Sequence, residues 1–144
     1  MSNRRIIYPT NGGCVAVIIP APEWLAQECN TLETLATNSV PPGKPWKIVD
    51  ASDIPTDRAF RNAWKLEDDQ ITEDWAKSVE ITKNRLREER KPLFEAADVK
   101  AMRDIEATGS ISPETAALKQ SLRDVTALAD AAQSRDDLIA LKVT

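Results

Sequence analysis

The 144 residues are 42% apolar, enough to core one domain or a small domain with a helical extension. The net charge is only −4. It falls wholly within residues 65–144, because six basic and six acidic side chains balance over residues 1–64. No basic face dominates, which argues against a nucleic-acid partner, and the apolar run Val15 to Ile19 is far too short to span a bilayer.

The start Met1-Ser2-Asn3-Arg4-Arg5 is basic, but Pro9 and Gly12-Gly13 break the apolar segment after it, so it does not read as a signal peptide. Arg5-Ile6-Ile7-Tyr8 is a short strand, Thr10-Asn11-Gly12-Gly13 a turn, and Cys14 to Ile19 the return strand of a hairpin. Pro20-Ala21-Pro22 ends it and opens a helix in which Leu25, Cys29, Leu32 and Leu35 follow helical spacing, with a stop at Asn38. The rigid loop Val40 to Pro45 delivers a third strand, Trp46 to Asp50. A hairpin alone is marginal in water, and a third strand with a covering helix makes a ββαβ unit over residues 1–64. Two cysteines, Cys14 and Cys29, are too few for a disulfide framework and read as free thiols, as in a reducing cytoplasm.

The stretch Pro45 to Trp64 is the pivot of the chain. Upstream lie Gly, Pro and β-branched residues; downstream, helix formers dominate. Ile54 and Pro55 stop the strand, Thr56 offers a cap, and Phe60 and Trp64, four apart, would share one face of a short helical segment. Arg58 and Arg61 would share another face with Asp57 beside them, and the stretch reads as a packed joint with a surface ion pair, with a binding site as the alternative. Residues 65–71, Lys65-Leu66-Glu67-Asp68-Asp69-Gln70-Ile71, read as an acidic linker.

Residues 72–144 read as a helical hairpin with a short last helix. Thr72 would cap a helix from Glu73 whose stripe is Trp75, Val79, Leu86 and Leu93, interrupted by Thr82 and by Glu89 or Arg90, and carried onward by Phe94, Ala97, Ala101 and Ile105. Pro92 should kink or split it; a continuous helix over 73–107 would be roughly 50 Å long. Gly109 ends it. Ser112-Pro113 starts a second helix with the stripe Leu118, Leu122, Val125 and Ala129, and the short turn between implies an antiparallel pair. Ser134 would cap a last helix, Arg135 to Leu141.

The chemistry is mostly excluded. There is no His, which removes Ser-His-Asp and Cys-His catalysis and His-ligated zinc. Two cysteines cannot make a four-ligand zinc site, and Gly12-Gly13 lies in neither a Walker nor a dinucleotide pattern. Glu67-Asp68-Asp69 and Glu73-Asp74 offer carboxylates without calcium-loop spacing. No cofactor and no enzymatic activity are expected. The basic cluster Lys83, Arg85, Arg87, Arg90 and Lys91 reads as a solvated helix face or as a docking surface for an acidic partner. Of the four Trp residues, Trp64 reads as core, Trp75 as core or seam, and Trp24, beside Pro22 and Glu23, as the one at a surface or interface.

Two stretches carry a resemblance. Asn84 to Asp98 and Lys119 to Val125 resemble the C-terminal part of tailed-phage tail-fibre assembly chaperones, which carry an Arg-x-x-Arg-Asp-x-Leu-Leu run with a following Asp, then Gln-x-Leu-Arg-Asp. Arg87, Arg90, Leu93, Phe94, Asp98, Gln120, Leu122, Arg123 and Asp124 match by position; Lys91, Val99 and Thr126 depart from it, and the closing Trp-Pro is missing. At the front, Ile7-Tyr8-Pro9, Val15 to Pro20 and Asp53-Ile54-Pro55-Thr56-Asp57-Arg58-Ala59-Phe60-Arg61-Asn62-Ala63-Trp64 resemble small phage tail-region proteins of undefined function. The resemblances imply a non-enzymatic tailed-phage protein of the virion or of the host cytoplasm during assembly. It would act in tail or tail-fibre assembly, or as a structural part. Its partner would be a tail or tail-fibre protein, or a second copy, with neither nucleic acid nor membrane involved. The expected contact residues are Trp24, Trp75, Leu86, Arg87, Arg90, Leu122 and Arg123. The alternative is a phage-encoded inhibitor or regulator that binds a host protein.

Overall fold

The computed structural model describes residues 3–143, and its architecture is α+β. Strands β1 (Arg4–Pro9) and β2 (Val15–Ile18) form the expected hairpin, and β3 (Lys47–Asp50) joins the other side of β1. The strand order is β2-β1-β3, all antiparallel. Thr10 closes the turn: its N–H donates to the Cys14 carbonyl at 2.8 Å and its Oγ1 accepts from the Cys14 N–H at 3.2 Å.

Register sorts the apolar residues by face, because side chains alternate along a strand. Ile6 lies opposite Ile18 and Ile48, while Ile7 lies opposite Val17. Ile6, Tyr8, Ile18 and Ile48 pack with Leu32, Leu35 and Ala36 of the helix that follows the hairpin, and with Val40 just past its end. Ile7, Val15, Val17 and Val49 pack on the opposite side with Ile54, Trp64, Leu66 and Ile71. The sheet is therefore covered on both faces.

The helix expected from Pro22 through Ala36 is broken into α1 (Pro22–Leu25) and α2 (Leu32–Ser39). Two polar side chains cause the break. Asn30 Nδ2 donates to the Trp24 carbonyl at 2.7 Å, and Thr31 Oγ1 accepts from the Thr34 N–H at 3.1 Å as a fresh N-cap. Cys29 falls in the interruption and is exposed. It and Cys14 are both free thiols.

Residues 65–71, expected as an acidic linker, belong instead to a second hairpin. Strand β4 (Trp64–Glu67) pairs with β5 (Gln70–Glu73) around Asp68 and Asp69, whose φ angles are 48° and 65°. A two-residue loop with both residues at positive φ gives the twist a hairpin needs, and Asp tolerates that region better than most L residues. Trp64, Leu66 and Ile71 alternate inward onto the sheet. Phe60 and Trp64 are both buried, but they share no helical face: a 3₁₀ turn over Arg61–Ala63 separates them and Trp64 opens β4. The short helix expected after Thr56 is absent, since Asp57 Oδ1 accepts from the Ala59 N–H at 2.9 Å and closes a turn there.

The chain divides into two units, one through Trp75 and one from Ala76 onward. Helix α3 (Trp75–Thr108) runs 34 residues, roughly 50 Å at the α-helical rise. It begins two residues later than expected because Thr72 is used in β5. Pro92 does not split it. Pro92 and Glu88, whose carbonyl loses its helical partner, are both exposed, so water can serve that carbonyl. The inner face of α3 is Ser78, Thr82, Leu86, Ala97 and Ala101. Trp75 and Leu93, expected on the stripe, are exposed, and Thr82, expected to interrupt it, is buried. Its hydroxyl donates to the Ser78 carbonyl at 2.9 Å, which satisfies the polar group.

Helices α4 (Pro113–Asp124), α5 (Ala127–Ala131) and α6 (Arg135–Ala140) follow. Gly109, at φ 80°, ends α3, and Ser112 caps α4 as expected. Leu122, Val125 and Ala129 of the expected stripe are buried, whereas Leu118 is exposed. Ser134 and Asp137 make a reciprocal capping box on α6.

Candidate functional site

Helix α3 organises the second unit by capping the helices that follow it. At the tip, Asp104 Oδ2 accepts from Ser112 N–H at 3.1 Å, Ser112 Oγ at 2.8 Å and Thr115 Oγ1 at 2.7 Å. A carboxylate thus sits at the N-terminal, positive end of α4. The Thr115 and Ser112 hydroxyls and the Ser112 N–H hold its pKa below the ordinary Asp value. At the other end of α4, Arg90 Nη1 donates to the carbonyls of Leu122 at 2.9 Å and Arg123 at 3.1 Å. These are last-turn carbonyls without helical donors, and a cation suits that end. Between the two caps, Lys119 Nζ meets Asp98 Oδ1 at 2.7 Å. The ascending partners on α4 against descending ones on α3 make the pair antiparallel, as expected.

Arg85 repeats the device on α6, donating to the carbonyls of Leu138 at 3.0 Å and Leu141 at 2.8 Å. Lys83 Nζ pairs with Asp130 Oδ1 at 2.6 Å. Arg87 Nη1 reaches Glu80 Oε1 at 2.8 Å and Asn84 Oδ1 at 2.6 Å. Lys83, Arg85, Arg87 and Arg90 of the basic cluster thus each have a partner within their own unit. The Arg90 guanidinium also lies over the Phe94 ring, 5.5 Å from the centroid.

The other expected contact residues divide by burial. Leu86 and Leu122 are core residues at 0% and 1% exposure, so neither reaches a partner in this state. Arg123 is exposed, its Nη1 3.4 Å from Gln120 Oε1. Trp24 is half-buried, and the more open indoles are Trp46 and Trp75.

A surface that the sequence reading missed lies on the distal hairpin. Between Leu93 and Leu118 the buried residues are the small Ala97, Ala101 and Thr115. The same segment holds six of the eleven large apolar residues exposed among the described residues: Leu93, Val99, Met102, Ile105, Ile111 and Leu118. Val99, Met102 and Ile105, three apart, form one ridge along α3, the arrangement that packs into the groove of another helix. The buried residues of this segment are small, and its large apolar ones lie outside. The signal was present as a run of large apolar residues at spacing three, off the phase of the inner face.

Among the described residues, no group of three or more Cys, Asp or Glu side chains is placed to hold a metal ion, and no helix is long and apolar enough to cross a membrane. No protein-family model, no curated protein and no solved structure matches the chain.

Proposed function

We propose that the protein is a non-enzymatic protein of a tailed phage that acts in tail or tail-fibre assembly, or as a small virion component. It does so through contacts of its helical hairpin with a tail or tail-fibre protein. The phage assignment rests on the resemblance carried by Asn84 to Asp98 and Lys119 to Val125. The contact surface rests on the Val99–Met102–Ile105 ridge, an apolar row on a segment whose own interior is built from small residues. Contiguous exposed apolar surface of this kind marks protein interfaces.

The test has two arms. Co-expression of the full chain with the phage's tail and tail-fibre proteins should capture one of them, and the Met102→Asp/Ile105→Lys variant should lose that capture while keeping its helical circular dichroism. Capture unchanged by the variant, or no tail or fibre protein captured, overturns the reading. Mass spectrometry of purified virions then separates a structural part, present at fixed stoichiometry, from an assembly factor that departs.

A further inference from the structure

A cleft in the first unit, of about 330 Å³, has a chemistry unlike the hairpin's. Arg5, Arg58 and Arg61 line it together with Trp64, and no acidic side chain does. The ion pair expected for Arg58 and Arg61 does not form. Among the described residues none of the three arginines makes a salt bridge, and Arg5 donates only to the neighbouring Arg4 carbonyl, at 3.1 Å. Trp64 is 1% exposed, and its Nε1–H is buried without an acceptor. An indole N–H can only donate, and leaving it unpaired in the interior is costly. Guanidinium groups likewise only donate. Three guanidinium groups therefore meet at one cleft, in a chain whose net charge is −4, and none of them has a carboxylate partner. Ile19, 60% exposed, and Ile54 give the cleft an apolar wall beside the charges.

We infer that this cleft binds the carboxylate of an acidic segment in a protein partner, with the guanidinium forks of Arg5, Arg58 and Arg61 as donors and the Ile19–Ile54 wall against the segment's apolar side chains. A carboxylate takes paired N–H donors from a guanidinium. A free inorganic anion would use the same donors but leave the apolar wall uncovered. The site lies in a different unit from the hairpin ridge and stands without it.

The Trp64 indole resonance in an ¹⁵N–¹H spectrum, assigned by its loss in Trp64→Phe, reports the cleft from a residue that lines it. The full chain is titrated with an acetylated, amidated octapeptide bearing two Glu among Leu and Val, with its Gln-for-Glu twin, and with inorganic phosphate. The Glu peptide should move the resonance and bind about tenfold or more tightly than the twin, as expected for a charge-assisted hydrogen bond. The Arg58→Gln/Arg61→Gln variant, altered at two exposed positions, should lose that preference with its melting temperature kept. Should the double variant unfold, Arg58→Gln alone is read the same way. No movement at millimolar peptide, equal binding of the two peptides, or phosphate as effective as the Glu peptide overturns the inference.

Discussion

Asp104 accepts from three donors at the start of α4, and each favours its charged form. Its pKa in the folded chain therefore lies below that in the unfolded chain. The resulting stabilisation is fully present above the unfolded value, about 3.9 for Asp. It is lost as pH falls through the lower native value. Asp137 behaves alike, its pKa lowered by the Gln133 N–H first and by Ser134. Acid should accordingly loosen both the hairpin tip and α6. The urea midpoint of the chain, followed by helical circular dichroism, should drop from about pH 5 downward. In Asp104→Asn that slope should be shallower, because one of the two titrating caps is gone. An identical slope in the variant would mean that Asp104 does not link the fold to protons. Arg90 illustrates the limit of the sequence at this scale. Its charge was legible, but the carbonyls it caps lie 32 and 33 residues away, and nothing local announces them.

Elements were legible where local chemistry and tertiary packing agree. The β1–β2 hairpin, β3, and the caps at Ser112 and Ser134 follow from turn residues, alternation and side-chain oxygens near their own helix starts. The β4–β5 hairpin was hidden because Glu67-Asp68-Asp69 reads as solvated charge, and Asp-Asp is a weaker turn signal than Asn-Gly. The alternation of Trp64, Leu66 and Ile71 was the missed evidence. The inner face of α3 was legible in part: Leu86, Ala97 and Ala101 of the expected stripe are buried, whereas Trp75, Leu93 and Ile105 are exposed and the small polar Ser78 and Thr82 are buried. The turn yields a direct prediction. A β-branched residue at positive φ is strained, so Asp68→Val should destabilise the first unit by about 1–2 kcal/mol. Tryptophan fluorescence during urea unfolding measures this, because all four Trp residues lie in the first unit, and an unchanged midpoint would mean that the turn relaxes without strain.

At the scale of the whole molecule, two units carry two different surfaces. The first has a sheet covered on both faces by its own residues, with Ile6, Ala36 and Val40 on one side and Ile7, Val15 and Trp64 on the other. A fragment of residues 1–75 thus keeps both halves of its core, including the β4–β5 hairpin that a cut at residue 64 would remove. Such a fragment is near the lower size for independent folding, so its stability should be modest, but its unfolding should be cooperative. It also keeps Arg5, Arg58, Arg61 and Trp64, and it lacks Val99, Met102 and Ile105. The fragment should therefore bind the Glu-bearing octapeptide as the full chain does and fail to capture the tail or tail-fibre protein. Dispersed amide resonances and a sigmoidal urea curve would establish that it folds. A folded fragment that captures the same tail protein as the full chain would remove the hairpin ridge from the contact. A folded fragment that binds neither peptide nor tail protein, while the full chain binds both, would mean that both surfaces depend on residues beyond Trp75.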